Sequence, residues 1–242
     1  DAANVQTRAR RSDSGYVLDG RKKWISFGRR ADVFVVFAQL EDQPTAFLVE
    51  RDTPGLRIEA QSGLLGLRGS MLAGLHLEDC EIPSENLLGS EGVGFALVAA
   101  ASLDRGRYIT ACGSVGLAQA CLDACLAYTR SRHQFGVPLR DHQLVKAMVT
   151  DMIANTEAAR LLCQRAGYLY DRGHPDTIQA NLVAKYFASR TAYRAASDAV
   201  QIHGANGCGD GVPVQRYFRD AKIMEIIEGT TQIHQIKIAS LS

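Results

Sequence analysis

The sequence predicts an α+β protein, an antiparallel β-barrel or sandwich domain followed by an antiparallel four-helix-type bundle. Two observations carry this. Over the first third, short apolar runs alternate with turn formers such as Glu41-Asp42-Gln43-Pro44 and Asp52-Thr53-Pro54-Gly55. From about Gly92 onward, long Ala- and Leu-rich stretches repeat small and apolar residues at helical spacing. The change of pattern places a boundary near residues 88–94, giving a β domain over 1–90 and a helical domain over 91–242.

The opening Asp1-Ala2-Ala3-Asn4-Val5-Gln6-Thr7 carries no initiator Met and runs quickly into strand-like sequence, so the chain reads as entered in the middle. Residues 15–20 and 22–26 form a pair of short strands around a turn. Further strands follow at 33–39, 45–50, 56–60 and 74–78. The first long helix covers 95–130 and contains no proline. The second covers 139–172, its apolar stripe marked by Leu144, Met148, Met152, Ile153 and Leu161. Asp176 is a candidate cap for a third helix over 177–203. A Gly-rich turn at 204–211 precedes Pro213 and a short helix, and Gly229-Thr230 opens a last helix through Ile238.

Composition narrows the possible functions. With 46% hydrophobic and 22% charged residues, 242 residues bury a sizeable core. A formal net charge of +1 gives no ground for nucleic acid or a membrane surface as partner. No apolar stretch is expected to approach the roughly 20 residues that span a bilayer, and no signal-peptide pattern opens the chain. The six cysteines show no Cys-x-x-Cys spacing and suggest no metal site. Cys121 and Cys125 share a helix face and read as small buried apolar residues, as in a reducing cytoplasm.

The most suggestive single residue is Glu228, in Arg219-Asp220-Ala221-Lys222-Ile223-Met224-Glu225-Ile226-Ile227-Glu228-Gly229-Thr230. A glutamate in apolar company is poorly solvated when charged, which raises its pKa toward that of a carbon base. An isolated Glu-Gly-Thr would be an ordinary helix entry. Three further segments accompany it. Lys23-Trp24-Ile25-Ser26 puts an aromatic and a hydroxyl two apart, on one face of a strand. Arg132-His133-Gln134-Phe135-Gly136, continuing to His142-Gln143, offers a forked donor suited to pyrophosphate and an aromatic stacking surface. Gln201-Ile202-His203-Gly204-Ala205-Asn206-Gly207 supplies glycines that admit a phosphate to the backbone or merely end a helix.

Together and in this order, the four segments resemble the acyl-CoA dehydrogenase family over nearly the whole chain. The resemblance implies FAD as cofactor. Trp24 and Ser26 would lie beside the flavin. Arg132, Gln134 and Phe135 would contact the pyrophosphate and adenine end of an FAD belonging to a neighbouring subunit, and Gln143, Gln201 and Gly204 would also bind the cofactor. Gly229, Thr230 and Gln232 would lie near the cofactor. The family usually has two adjacent glycines where this chain has Gly204-Ala205. Glu228 would be the base; the alternative base position used by some members, two residues after Asp104, is Gly106 here and has no side chain to act. Asp104 and Arg107 would lie along the carrier arm of the thioester, although a solvated helix pair would look the same.

The activity so implied is α,β-dehydrogenation of an acyl thioester. The base's own amide and a ribityl hydroxyl polarise the carbonyl, and electrons pass on to an electron transfer flavoprotein. The substrate is acyl-CoA or, alternatively, an acyl group on a carrier protein in polyketide-type biosynthesis. Glu225-Ile226-Ile227 and Asp141-His142-Gln143-Leu144-Val145 look similar to that biosynthetic branch. A homodimer or homotetramer with FAD at its interface is expected, as is a further N-terminal helical domain that the present sequence lacks. A non-catalytic assembly subunit is the competing class; retention of Glu228, Arg132 and Ser26 together argues against it.

Overall fold

The computed structural model describes residues 4–241. Contacts divide the chain into two compact units, Asp1–Leu64 with Arg68–Ser102, and Leu65–Leu67 with Leu103–Ser242.

The first unit is built on one six-stranded sheet of β1 (Arg8–Arg11), β2 (Gly15–Ile25), β3 (Val33–Leu40), β4 (Gln43–Glu50), β5 (Leu56–Ala60) and β6 (Ala73–Pro83). The strand order is β4-β3-β1-β2-β6-β5, so β4 and β5 are the outer strands and the sheet does not close into a barrel; β4 is bridged on its outer side at Phe47–Leu87. Its pairs are antiparallel except β1 with β3, which run parallel. Alternation along β3 buries Phe34, Val36, Ala38 and Leu40. These pack with Leu18, Phe47, Leu75 and Ile82 into a single core.

Residues 15–20 and 22–26 are not two strands around a turn. Gly15–Ile25 form one long strand paired with β6, with irregular register between Leu18 and Gly20 and between Lys22 and Ile25. Asp19-Gly20 resembles a turn signal but serves a bulge: Gly20 has φ 145°, and a Cβ there would stand 2.8 Å from the Thr7 Cα.

A π-helical turn at Gly94–Ala99 leads into α1 (Ala100–Ser131). A small hairpin of β7 (His133–Gln134) and β8 (Val137–Pro138) follows. Then come α2 (Gln143–Asp171), α3 (Thr177–His203), α4 (Val214–Met224) and α5 (Thr231–Ser240). Within the second unit α3 packs against α2, α4 and α5. Its facing surface is rich in alanine, with Ala188, Ala192, Ala195, Ala196 and Ala199 all buried, and small residues let helices approach closely. Asp176 precedes α3 as expected, but its side chain makes no cap bond; the Thr177 hydroxyl donates to the His174 carbonyl at 2.6 Å instead. Thr230 caps α5, accepting from the Ile233 amide at 3.3 Å.

The helical run Gly94–Ser131 is long and apolar enough, by length and composition, to cross a membrane, which the sequence reading did not expect. Much of that apolar character is spent inside the protein, where Ala111, Val115, Ala118, Cys121, Leu122 and Cys125 join the cores of the helical unit. Burial pushes the thiols of Cys121 and Cys125 up to about 12, as inert core residues require.

Candidate functional site

In the first unit, Trp24 and Ser26 stand at the end of β2, and both are exposed. Strand alternation does not order them, because Trp24 has φ 60° inside the irregular stretch and Ser26 follows the last strand residue. Trp24 is 62% exposed, so it is not a core aromatic. A bulky left-handed residue is a backbone outlier, and such outliers concentrate at functional sites. The loop after it is braced by Arg51, whose guanidinium donates to the carbonyls of Ala31 at 2.7 Å and Arg29 at 3.1 Å.

In the second unit the candidate residues form two groups. The first lines a cavity of about 310 Å³ where Arg132 and Gln134 meet His203, Gly204, Ala205 and Asn206. Two segments far apart in sequence thus share one hollow. Tyr128 stacks on His203 with centroids 4.2 Å apart, and the Asn206 amide donates to the Tyr128 hydroxyl at 3.0 Å. Gly204 has φ 59° and ψ −140°, and a Cβ there would meet nothing within 4 Å. Its backbone therefore faces open space in a conformation that favours glycine. Ala205 is not left-handed, so its methyl imposes no backbone strain.

The hairpin carrying Gln134 turns through Phe135 and Gly136, both at positive φ (53° and 81°), as a type I′ turn requires. Phe135 at the tip is 95% exposed and meets His142 edge-on at 6.1 Å. Gln143 and Gln201 are exposed and do not line the cavity. A larger hollow of about 460 Å³, lined by Asp151, Arg190, Arg194 and Asp198, contains none of the candidate residues.

The second group surrounds Glu228. After α4 the chain makes a turn, with Ile226 and Ile227 amides donating to the Ile223 carbonyl, and reaches Glu228 at φ 55° and Gly229 at φ 99°. The carboxylate lies over Gly106 of α1: a Cβ at 106 would stand 3.0 Å from Oε1 and closer still to Oε2. Burial raises the Glu228 pKa above the ordinary carboxylate value, opposed by the positive charges of Arg107 and Lys185. Of the apolar run before it, Ile226 is half exposed, while the carboxylate itself lies against α1 at Gly106.

Arg107 is 9% exposed, so it is not a solvated surface arginine. Asp104 accepts from the Asn181 side-chain amide at 2.9 Å, inside the same unit. Thr230 and Gln232 follow at the start of α5, Gln232 exposed. Three buried neighbours escaped the sequence reading. Lys185 is fully buried, its ammonium donating to the Gly229 carbonyl at 2.7 Å. His234 is fully buried, with Nδ1 2.9 Å from the Thr230 carbonyl and its ring against Gly229. Asn181 is the third. Lys185 and Asn181 look like ordinary polar positions of an Ala-rich helix, and only their four-residue spacing hinted at a shared face.

Comparison with known proteins agrees with this arrangement. The family model for the acyl-CoA dehydrogenase C-terminal domain matches residues 92–241, and that for the middle domain matches residues 1–80. The chain is 41% identical over 244 residues to the short-chain specific acyl-CoA dehydrogenase, mitochondrial, of Rattus norvegicus, covering 99% of this chain and 59% of that protein. Butyryl-CoA dehydrogenase from Megasphaera elsdenii superposes with a TM-score of 0.95 at 36% identity, over 100% of this chain and 64% of that one. A chain of the electron transferring flavoprotein structure from Acidaminococcus fermentans gives 0.96 at 39%, over 100% and 64%. The prolyl acyl carrier protein oxidase AnaB gives 0.93 at 28%, over 99% and 64%. The chain therefore spans about 60% of the length of these relatives. With sheet, bundle, Glu-Gly-Thr turn and family models in agreement from end to end, the chain belongs to the acyl-CoA dehydrogenase family.

Proposed function

We propose that the protein containing this chain dehydrogenates an acyl thioester to the trans-2-enoyl thioester with FAD, and that Glu228 is the α-proton base. The observation that carries this is the Glu228 carboxylate itself, half-buried on a left-handed turn above Gly106, with its pKa raised by burial. A base that takes a proton from carbon works best when its pKa approaches the operating pH.

The cavity at Arg132 fits the pyrophosphate end of the cofactor. Arg132 and Gln134 supply donors, and Gly204 presents backbone to open space. Trp24 and Ser26, exposed at the end of β2, suit the ring end, and Phe135, unpacked at its hairpin tip, suits the adenine of a neighbouring subunit in a homodimer or homotetramer. When bound, a flavin supplies the acceptor for the hydride that leaves the β-carbon. Glu228 removes the α-proton, its amide polarises the thioester carbonyl, and the electron pair of the broken α-C–H bond becomes the new double bond. The positive charge of Arg107, itself buried, opposes the burial that raises the Glu228 pKa and so favours the ionised form that accepts the proton. An electron transfer flavoprotein is the fitting electron acceptor, given the Acidaminococcus neighbour.

A second substrate reading, an acyl group on a carrier protein, is favoured by the likeness to the prolyl acyl carrier protein oxidase. In the full-length protein, Glu228→Gln should bind FAD yet leave its colour unbleached when thioester is added; normal bleaching ends the assignment. Offering acyl-CoA and acyl-carrier thioesters to the parent protein in that assay separates the two substrates.

A further inference from the structure

Lys185 occupies an expensive position. Its side chain is fully buried, and a buried ammonium loses hydration that must be returned by partners. It also stands by the entry of α5, where the helix dipole disfavours positive charge. The groups facing it are Arg107 from α1, Glu225 and Glu228 from the turn after α4, and His234 from α5. Burial lowers its pKa to about 8, with Glu225 and Glu228 acting against that fall. Such a group persists where a neutral side chain cannot do its work.

The hydrogen bond shows what that work is. The Lys185 Nζ donates to the Gly229 carbonyl at 2.7 Å. That carbonyl belongs to the second of two consecutive left-handed residues, Glu228 at φ 55° and Gly229 at φ 99°. A left-handed glutamate is strained and stays put only when its surroundings over-determine it. On the other side of Gly229, the His234 ring stands 3.0 Å from where a Cβ would be. We propose that Lys185 is a positioning residue for the base: by holding the Gly229 carbonyl it fixes the left-handed Glu228-Gly229 turn, and with it the carboxylate over Gly106. The proposal rests on the reading of Glu228 as the base.

The test uses the flavin-loaded full-length protein and its Lys185→Met variant. Removing the ammonium orphans the Gly229 carbonyl and costs stability whatever its role, so rates are normalised to the folded, flavin-loaded protein to separate a structural role from a positioning one. Per folded molecule, the variant should show kcat reduced roughly tenfold to 100-fold with KM little changed, since small misplacements of a reacting group cost this much. A second readout needs no turnover. The infrared carboxyl band that Glu228→Gln abolishes should titrate at higher pH in Lys185→Met, because a positive neighbour has gone. Unchanged kcat, or a rate that falls only as the folded fraction falls, overturns the proposal.

Should Lys185→Met fail to fold, Lys185→Leu likewise removes the donor and is read the same way. In the unaltered protein, the Gly229 carbonyl-carbon resonance should titrate with Lys185, and a carbonyl that does not respond overturns the proposal as well. If Glu228→Gln still bleaches its flavin, the base assignment has failed; if it does not bleach while Lys185→Met is normal, Lys185 alone has.

Discussion

Three non-glycine residues singled out for chemistry, Trp24, Phe135 and Glu228, all adopt positive φ. Each stores on the order of 1–2 kcal/mol of backbone strain that a different residue would not carry, which is consistent with selection for placement over stability. Glu228 adds an electrostatic cost that pH reveals. Its folded pKa is raised above 4.5 by burial, so its favourable contribution is complete below the unfolded pKa and is lost as pH rises through the folded one. Glu228→Gln should therefore melt above the parent at neutral pH, with the gap closing in melts well below pH 4.5; a constant gap would contradict this. Gly106→Ala isolates the geometry. Alanine favours a helix interior over glycine by about 1 kcal/mol, so thermal stability should hold, because the flexible carboxylate can swing aside. Turnover should nonetheless drop by about 100-fold, and a rate near that of the parent would show that the carboxylate has no need of that space.

At the scale of elements, the β7–β8 hairpin separates stability from binding. Its type I′ turn favours Asn-Gly, yet the chain places Phe135 before Gly136. Phe135→Asn should stabilise the protein by about 1 kcal/mol or less while weakening its affinity for FAD, read by melting and by flavin titration. A loss of stability would mean that the ring packs where the structure shows it exposed. The elements also show what sequence can and cannot disclose. The third helix was legible to the residue, because Asp176 and Gly204 bracket it and its spacing never falters. The β2 strand was not, because Asp19-Gly20 serves equally for a turn or a bulge, and pairing with β6 decides between them. Glu228, Arg132 and Gly204 were singled out only because four segments, each weak alone, occur together in one order. Lys185 and His234 were not, since burial arises from helices that meet only after folding.

At the scale of the molecule, a sheet core and two helical clusters give each unit its own apolar interior. The short segment Leu65–Leu67 belongs by contacts to the helical unit. There Asp220 accepts from the Leu67 amide at 2.6 Å, and Arg219 donates to the Leu65 carbonyl at 3.0 Å. Gly66 leaves no room for a side chain, since a Cβ would lie 2.6 Å from the Arg219 carbonyl carbon. A hydrogen bond to a charged group contributes about 1.5–3 kcal/mol. Asp220→Ala should thus speed amide exchange at Leu67 by more than tenfold while leaving exchange in the β3 core unchanged; equal protection in parent and variant would contradict this.

On the proposed reading of Glu228 as the base, the overlap between its carboxylate and the missing Cβ of Gly106 would make that base interchangeable in origin. One small volume can be reached from the turn or from the first helix, but not from both at once. Gly106→Glu alone would crowd two carboxylates together, and Glu228→Gly alone would leave none. Made together, the two substitutions should return a carboxylate to the same volume and recover part of the rate that either loses.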